Sequence, residues 1–344
     1  MSDAPLTVVL DLPRPYLLFV GDADDTTFLK TGLGLRDWAP DLCVAEHKCD
    51  GARATLGLPL MDPRQAYAAG ARSVVIAAAS IGGRIRPAWI PCLVEALEAG
   101  LDIISGAHDR LSADPRLRSA ADALGRRLID VRTPPPGLPI ATGRRRSGKR
   151  LLTVGTDCAL GKKYTALALT GAFRARGLAV DFRATGQTGI MIAGSGIPID
   201  SVVSDFVAGA AEALSPDAAP NHWDVIEGQG SVFHPSYAGV SLGLMHGSQP
   251  DMLVLCHAHG RELIVGLDGY PLPSIEEAVA LSLRLARLTN PDVRCAGVSL
   301  NTAGLSDEDA TALIARRIDE WGLPVADPMR PSPHFDRLVE ACIG

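Results

Sequence analysis

The sequence has no run of about 18 apolar residues, so it offers no membrane-spanning helix. Aromatic residues are scarce, at 5% of 344. Basic charge is not in excess, because 33 Lys and Arg against 39 Asp and Glu leave a formal net charge of −6. A nucleic-acid surface needs a strong positive field, and a single-strand platform needs stacking rings, so neither partner is expected. The seven cysteines are odd in number and show no CxxC spacing, which excludes a disulfide framework and points to free thiols in a reducing compartment. The opening MSDAPLTVVLDLPRPYLLFVGD lacks the basic start of a secretory leader. No repeat recurs at a period of 20–50 residues. These absences leave a cytoplasmic globular protein. A hydrophobic content of 47% excludes intrinsic disorder, and the length suits two domains.

The pattern alternates short apolar runs with longer helical segments, the mark of βαβ units and a mostly parallel sheet. RTPPPGLPIATGRRRSGKR, residues 132–150, breaks that pattern with three prolines and a basic cluster. The expected organisation is a Rossmann-like domain over 1–135, a linker over 136–150 and a P-loop NTPase-like α/β/α domain over 151–344. Strands are expected at 16–20, 42–46, 73–78, 102–106 and 128–131 in the first half. In the second they are expected at 150–154, 179–185, 223–228, 251–257, 293–301 and 323–328. The first strand runs into GDADDTTFLKTG, not a GxGxxG loop, so a dinucleotide fingerprint is missing. Arg144–Arg146 read as a solvated linker.

The strongest local signal is strand RLLTV, then GTDCALGKKYT, then a helix. A glycine-bounded loop between a strand and a helix aims successive N–H groups and the positive end of the helix dipole at an anion. Gly155, Thr156, Asp157, Cys158, Ala159, Leu160 and Gly161 would form that loop, with Lys162, Lys163 and Tyr164 opening the helix. Adjacent lysines are disfavoured at a helix N-terminus unless an anion sits there. A P-loop that handles Mg·ATP carries Ser or Thr after its Lys to hold the metal; here Lys163 stands there. The loop therefore reads as a holder of a phosphorylated ligand without hydrolysis, with coenzyme A as the natural candidate, although Thr165 leaves a metal route open.

Parallel sheets bring the loops after their strands to one edge. Arg183–Gly189, Glu227–Ser231, His257–Arg261 and Asn301–Thr302 would meet there. Glu227, at the end of an apolar strand, is a candidate general base and equally a loop-orienting carboxylate, and His234 is a second candidate base. Cys256-His257-x-His259 does not read as a zinc site, because neighbouring strand residues face opposite ways, so no metal is expected. Cys158 reads as an ordinary loop residue.

GTDCALGKK resembles the P-loop of dethiobiotin synthetase. A closer resemblance spans most of the chain, carried by VGTDCALGKKYTALAL, RATGQTGIMIAGSGIPIDSVVSDFVAGAAE, VIEGQGSVFHPSYAGVSLGLMHGSQPD and NTAGLSDEDA. These segments look like the family, long catalogued as a domain of unknown function, that D-glutamate N-acetyltransferase typifies. The resemblance implies acetylation of D-glutamate or a related D-amino acid by acetyl-CoA, within D-amino-acid catabolism, and a partner racemase of the enolase superfamily.

On that expectation Lys162, Lys163 and the 155–161 backbone hold a CoA phosphate and Asn301 reads the adenine. Arg183 and Arg261 grip substrate carboxylates, assisted by Gln187, Thr188, Gln229 and Ser231. Glu227 or His234 takes the ammonium proton, and the Gly228–Ser231 amides face the oxyanion. A Mg·ATP-dependent ligase or kinase of the dethiobiotin-synthetase kind, and a non-catalytic nucleotide or CoA sensor, are the competing readings. A symmetric homo-oligomer is expected for an α/β protein of this size.

Overall fold

Strands buried on both faces by crossover helices read as near-continuous apolar runs, and each of the eleven runs identified above overlaps one of the eleven strands found among the described residues of the computed structural model. The structure describes residues 10–79 and 83–344; the first nine residues of the segment in which no leader was recognised lie outside them. Two compact units form, one from Val9–Thr133 with Gln187–Pro198 and the other from Pro134–Gly186 with Ile199–Gly344.

The first unit contains β1 (Tyr16–Gly21), α1 (Lys30–Trp38), β2 (Cys43–Lys48), α2 (Pro63–Ala68), β3 (Ser73–Ile76), α3 (Ile90–Glu98), β4 (Asp102–Ser105), α4 (Pro115–Leu124) and β5 (Leu128–Asp130). Its parallel sheet has the order β2-β1-β3-β4-β5, the Rossmann-like half expected. Trp89 packs so closely on the turn after β1 that a Cβ on Gly21 would come within 2.8 Å of the indole. Its Nε1 donates to Asp22 at 2.7 Å.

The second unit runs β6 (Lys149–Gly155), α5 (Lys162–Ala175) and β7 (Val180–Arg183). Helix α6 (Gln187–Ala193) then returns to the first unit. The chain continues through α7 (Val207–Leu214), β8 (Trp223–Ile226), α8 (Ala238–Ser248), β9 (Met252–Ala258), α9 (Ile275–Ala286), β10 (Arg294–Asn301), α10 (Asp307–Trp321), β11 (Val325–Ala326) and α11 (Pro333–Ile343). The sheet order is β11-β10-β9-β6-β8-β7, with every pairing of these strands parallel. Chain order reverses around β6, so the crevice beyond its carboxyl end is a topological switch point, where open α/β sheets bind ligands. Helix α5 packs through Ala166, Leu169 and Phe173, a helical stripe, into a core with Leu151, Val225, Val254 and Leu338. Leu255, Val298, Leu313 and Ile314 belong to a second cluster.

Two features differ from the sequence reading. Residues 187–198, read as part of the second half, group with the first unit. The segment 136–150 is also no bare connector. Arg146 is buried and donates to the carbonyls of Glu212, Ser215 and Gly247. A guanidinium can cross-link several chain turns through its five donors, which composition alone does not reveal.

Candidate phosphate-binding site

Gly155 ends β6 at the switch point, and a Cβ there would stand 3.1 Å from both the Asp157 carbonyl and Lys162 Nζ. Gly161 opens α5 at φ +108°, a left-handed conformation that glycine adopts without strain. Gly161, the N-cap of α5, has no side chain to cap the first turn, and a helix start of this kind favours an anion through its N–H groups and dipole. Lys162 is buried and its Nζ donates to the Asp157 carbonyl at 2.7 Å, inside the loop. Burial pulls its pKa below the usual lysine value, so an anion in the cradle would stabilise its charge. Lys163 Nζ lies 5.1 Å from the centre of the Tyr164 ring.

Asp157 braces the loop. Its fully buried carboxylate accepts from the Cys158 amide at 2.6 Å, from Arg261 at 3.0 Å and from the Val265 amide at 2.9 Å. Arg261, expected on a substrate carboxylate, thus uses one terminal nitrogen to hold Asp157 and the Cys158 carbonyl. Ala159 is one of two non-glycine residues at positive φ among the described residues, at +54°. Thr156 Oγ1 lies 3.0 Å from His257 Nδ1; burial, with the charges of Arg317 and Arg261, pushes that imidazole down to about 4. Thr165 is engaged inside the unit. Its hydroxyl donates to the Gly161 carbonyl and meets Ser299 Oγ at 2.7 Å, buried.

Glu227 follows β8 and is buried. Its Oε2 accepts from the amides of Thr185 and Gly186, both at 3.0 Å, while Thr185 Oγ1 donates to the Glu227 carbonyl and accepts from the Gln229 amide group. This carboxylate therefore sews the loop after β7 to the loop after β8. No described hydrogen bond uses Oε1. Burial raises the carboxyl pKa, and Lys163 and the two amides oppose the rise. Gly228 donates to Thr153 Oγ1 at 2.9 Å, so its amide is not open to an oxyanion as expected. Ser231 is buried and its Oγ accepts from the Phe233 amide.

Beside the cradle lies a cleft lined by Leu160, Tyr164, Asn301, Pro328 and Met329. It joins the start of α5 to the loops after β10 and β11. The sequence marked Asn301 but not Pro328 or Met329, which carry no chemical signal of their own.

Three sets of expected site residues hold other partners. Arg183 does not stand ready for a substrate carboxylate: its Nε donates to Asp224 at 2.7 Å and its NH2 to Asp181 at 3.2 Å. Gln187 and Thr188 fall in the first unit, where Gln187 lies against Gly106 and Thr188 Oγ1 meets Thr31 Oγ1 at 3.2 Å. His234 is tied into its own turn. Its Nδ1 accepts from the Ser236 amide at 3.1 Å, which places the proton of the neutral ring on Nε2. Donor atoms of Asp157, Cys158 and His234 do converge within 4.8 Å, a grouping that a separation of more than seventy residues hides. The second acidic group, Asp181, His222 and Asp224, surrounds the Arg183 guanidinium. Among the described residues no helix is long and apolar enough to cross a membrane.

Comparison with known proteins places these parts in a shared frame. Residues 139–339 match the domain of unknown function DUF1611_C, a P-loop domain, and residues 47–134 match DUF1611_N, a Rossmann-like domain. A protein of Tritonibacter scottomollicae named D-glutamate N-acetyltransferase is 49% identical over 330 residues, 96% of this chain and 98% of that protein. One of the same name from Pseudoalteromonas sp. is 46% identical over 321 residues, 93% and 97% of the two chains. A crystal structure of a DUF1611 family protein from Anabaena variabilis is similar over 96% of this chain and 99% of its own, with a TM-score of 0.85 and 34% identity.

Proposed function

The chain belongs to the DUF1611 family, and on that premise we propose that it is an N-acetyltransferase that moves the acetyl group of acetyl-CoA onto the amino group of D-glutamate. The observation that carries the acceptor and the reaction is the near full-length identity to two enzymes of that name. The donor rests on the cradle. Lys163 stands where a Mg·ATP loop needs a hydroxyl, and Thr165, one turn on, is tied to Ser299 and Gly161. This loop suits a phosphate that is held and not hydrolysed.

In this reading the 155–161 amides, Lys162 and Lys163 hold a phosphate of CoA, and the cleft between Tyr164, Asn301 and Met329 takes the adenine. Glu227 keeps Oε2 on its two amides and receives the ammonium proton on Oε1. The neutral amine then attacks the thioester carbonyl, the C–S bond breaks, the proton that the attacking nitrogen sheds passes to the departing CoA thiolate to give CoASH, and Glu227 releases the ammonium proton to solvent. Arg261 retains Nε and NH2, with no described bond, for a carboxylate. The N-acetyl product would serve a racemase of the enolase superfamily, which needs a substrate with its amine masked.

Thiol release from acetyl-CoA, with protein thiols blanked, tests this with D-glutamate, L-glutamate or no acceptor. Release that requires the D-isomer is the expected result. Absence of release together with Mg·ATP turnover would replace the transferase by the ligase reading. Tight CoA binding without turnover of any amino acid would leave a sensor.

A further inference from the structure

We propose that His234 is a fixed, neutral hydrogen-bond donor that completes the anion cradle of loop 155–161 by presenting its Nε2–H to the bound phosphate. This inference rests on the reading of that loop as a phosphate holder. It assigns a role opposite to that of a base.

The bond from the Ser236 amide sets the tautomer. A backbone N–H can only donate, so Nδ1, 3.1 Å away, must hold a lone pair, and the proton of a neutral imidazole then sits on Nε2. The ring is also held in place. His234 is 3% exposed, its ring centre stands 4.5 Å from that of Tyr237, and its backbone is pinned at both ends. The amide donates to the Ser231 carbonyl, and the carbonyl accepts from Tyr237 and Ala238. Flipping the ring would set a carbon against the Ser236 amide and leave that donor without its partner.

Position gives the donor its target. A ring nitrogen of His234 lies within 4.8 Å of a carboxylate oxygen of Asp157 and of Cys158 Sγ, side chains of the cradle itself. Nδ1 is already engaged, so Nε2 is the nitrogen available to a ligand. Asp157 already accepts from three donors, the Cys158 and Val265 amides and Arg261. Charge explains why a neutral donor suits the place. Lys162, Lys163 and Arg261 already bring three cations to the loop, and an imidazolium would add a fourth while losing the Ser236 bond.

Two substitutions separate donation from the turn. His234→Asn keeps an oxygen near the place of Nδ1 to accept from Ser236 and removes the outer donor. His234→Gln returns an N–H near the place of Nε2. Calorimetric titration with inorganic pyrophosphate and with CoA, on full-length protein of native circular dichroism, is the measurement. We expect H234N to weaken both Kd values about tenfold or more, the scale of one hydrogen bond to a charged group, and H234Q to recover to within about threefold. H234N binding pyrophosphate within about twofold of wild type overturns the proposal. If H234N does not fold, ring-15N spectra of the wild type decide: an Nε2–H tautomer shifted by pyrophosphate supports the proposal, and an Nδ1–H, charged or unresponsive ring overturns it. Wild-type protein that binds pyrophosphate but not CoA refutes the acetyl-CoA reading alone, and the variants still decide His234. Wild-type protein that binds neither overturns both.

Discussion

Glu227 combines an anchor and a candidate base in one carboxyl group, and two substitutions pull the functions apart. In E227A the Thr185 and Gly186 amides lose their shared acceptor while buried. An orphaned buried donor costs about 1–3 kcal/mol, so two cost about 2–6 kcal/mol, a large share of a typical folding stability of about 5–15 kcal/mol. E227Q retains an acceptor oxygen for the amides. Exchanging a charged acceptor for a neutral one forfeits about 1 kcal/mol per bond, and the lifted burden of a buried charge offsets much of it. We therefore expect E227Q within about 2 kcal/mol of wild type in urea unfolding near neutral pH. The pH dependence has a definite sign. Because burial raises the folded pKa of Glu227, the native state binds this proton more tightly than the unfolded chain. Its contribution is present below the unfolded value of about 4.3 and is lost as pH rises through the folded value. E227Q, which has no such proton, gains on the wild type across that window. Thiol release from acetyl-CoA completes the comparison: removal of a general base lowers kcat by about 10²–10⁴. An E227Q enzyme with kcat within about threefold of wild type would show that Glu227 only holds loops together, and the base assignment would fall.

Other consequences can be measured directly. Gly228→Ala drives a Cβ into the Thr153 carbonyl oxygen; overpacking of this kind costs about 1–3 kcal/mol, so the urea midpoint should fall with the m-value unchanged. Met329→Trp, at the half-exposed wall of the cleft, should weaken CoA about tenfold or more in calorimetry and leave pyrophosphate binding unchanged; equal loss for both ligands would place the adenine elsewhere. Cys49 and Cys92 have their sulfurs 3.3 Å apart, against about 2.05 Å in a disulfide, and peroxide should remove two of the seven titratable thiols by linking them. Burial pushes Cys49 up to about 12, so linkage should be faster at pH 9 than at pH 7, because the thiolate is the reactive form. A peptide map with another pairing would refute the assignment.

The sequence by itself determined the eleven strands, the two α/β halves, the P-loop and its missing metal hydroxyl. These are local properties: a buried parallel strand is a short apolar run, and a phosphate loop is a contiguous set of glycines and lysines between a strand and a helix. Helix α3 ends at Glu98, just before Gly100 at φ +95°, a stop that is local in the same way. Tertiary structure decided which polar groups remain open to a ligand. Arg183 looks available in sequence, yet the register that sets Asp181 beside Asp224 encloses it between two carboxylates. Arg146 looks like a solvated linker charge and is a buried clamp. Glu227 could be a base or an anchor until two amides 41 and 42 residues away show it serving as an anchor through one oxygen. His234 reads as a candidate base in sequence, and a single backbone N–H fixes its tautomer. A side chain's type states which bonds it can make, and only the chain segments folded around it determine which of them are already made.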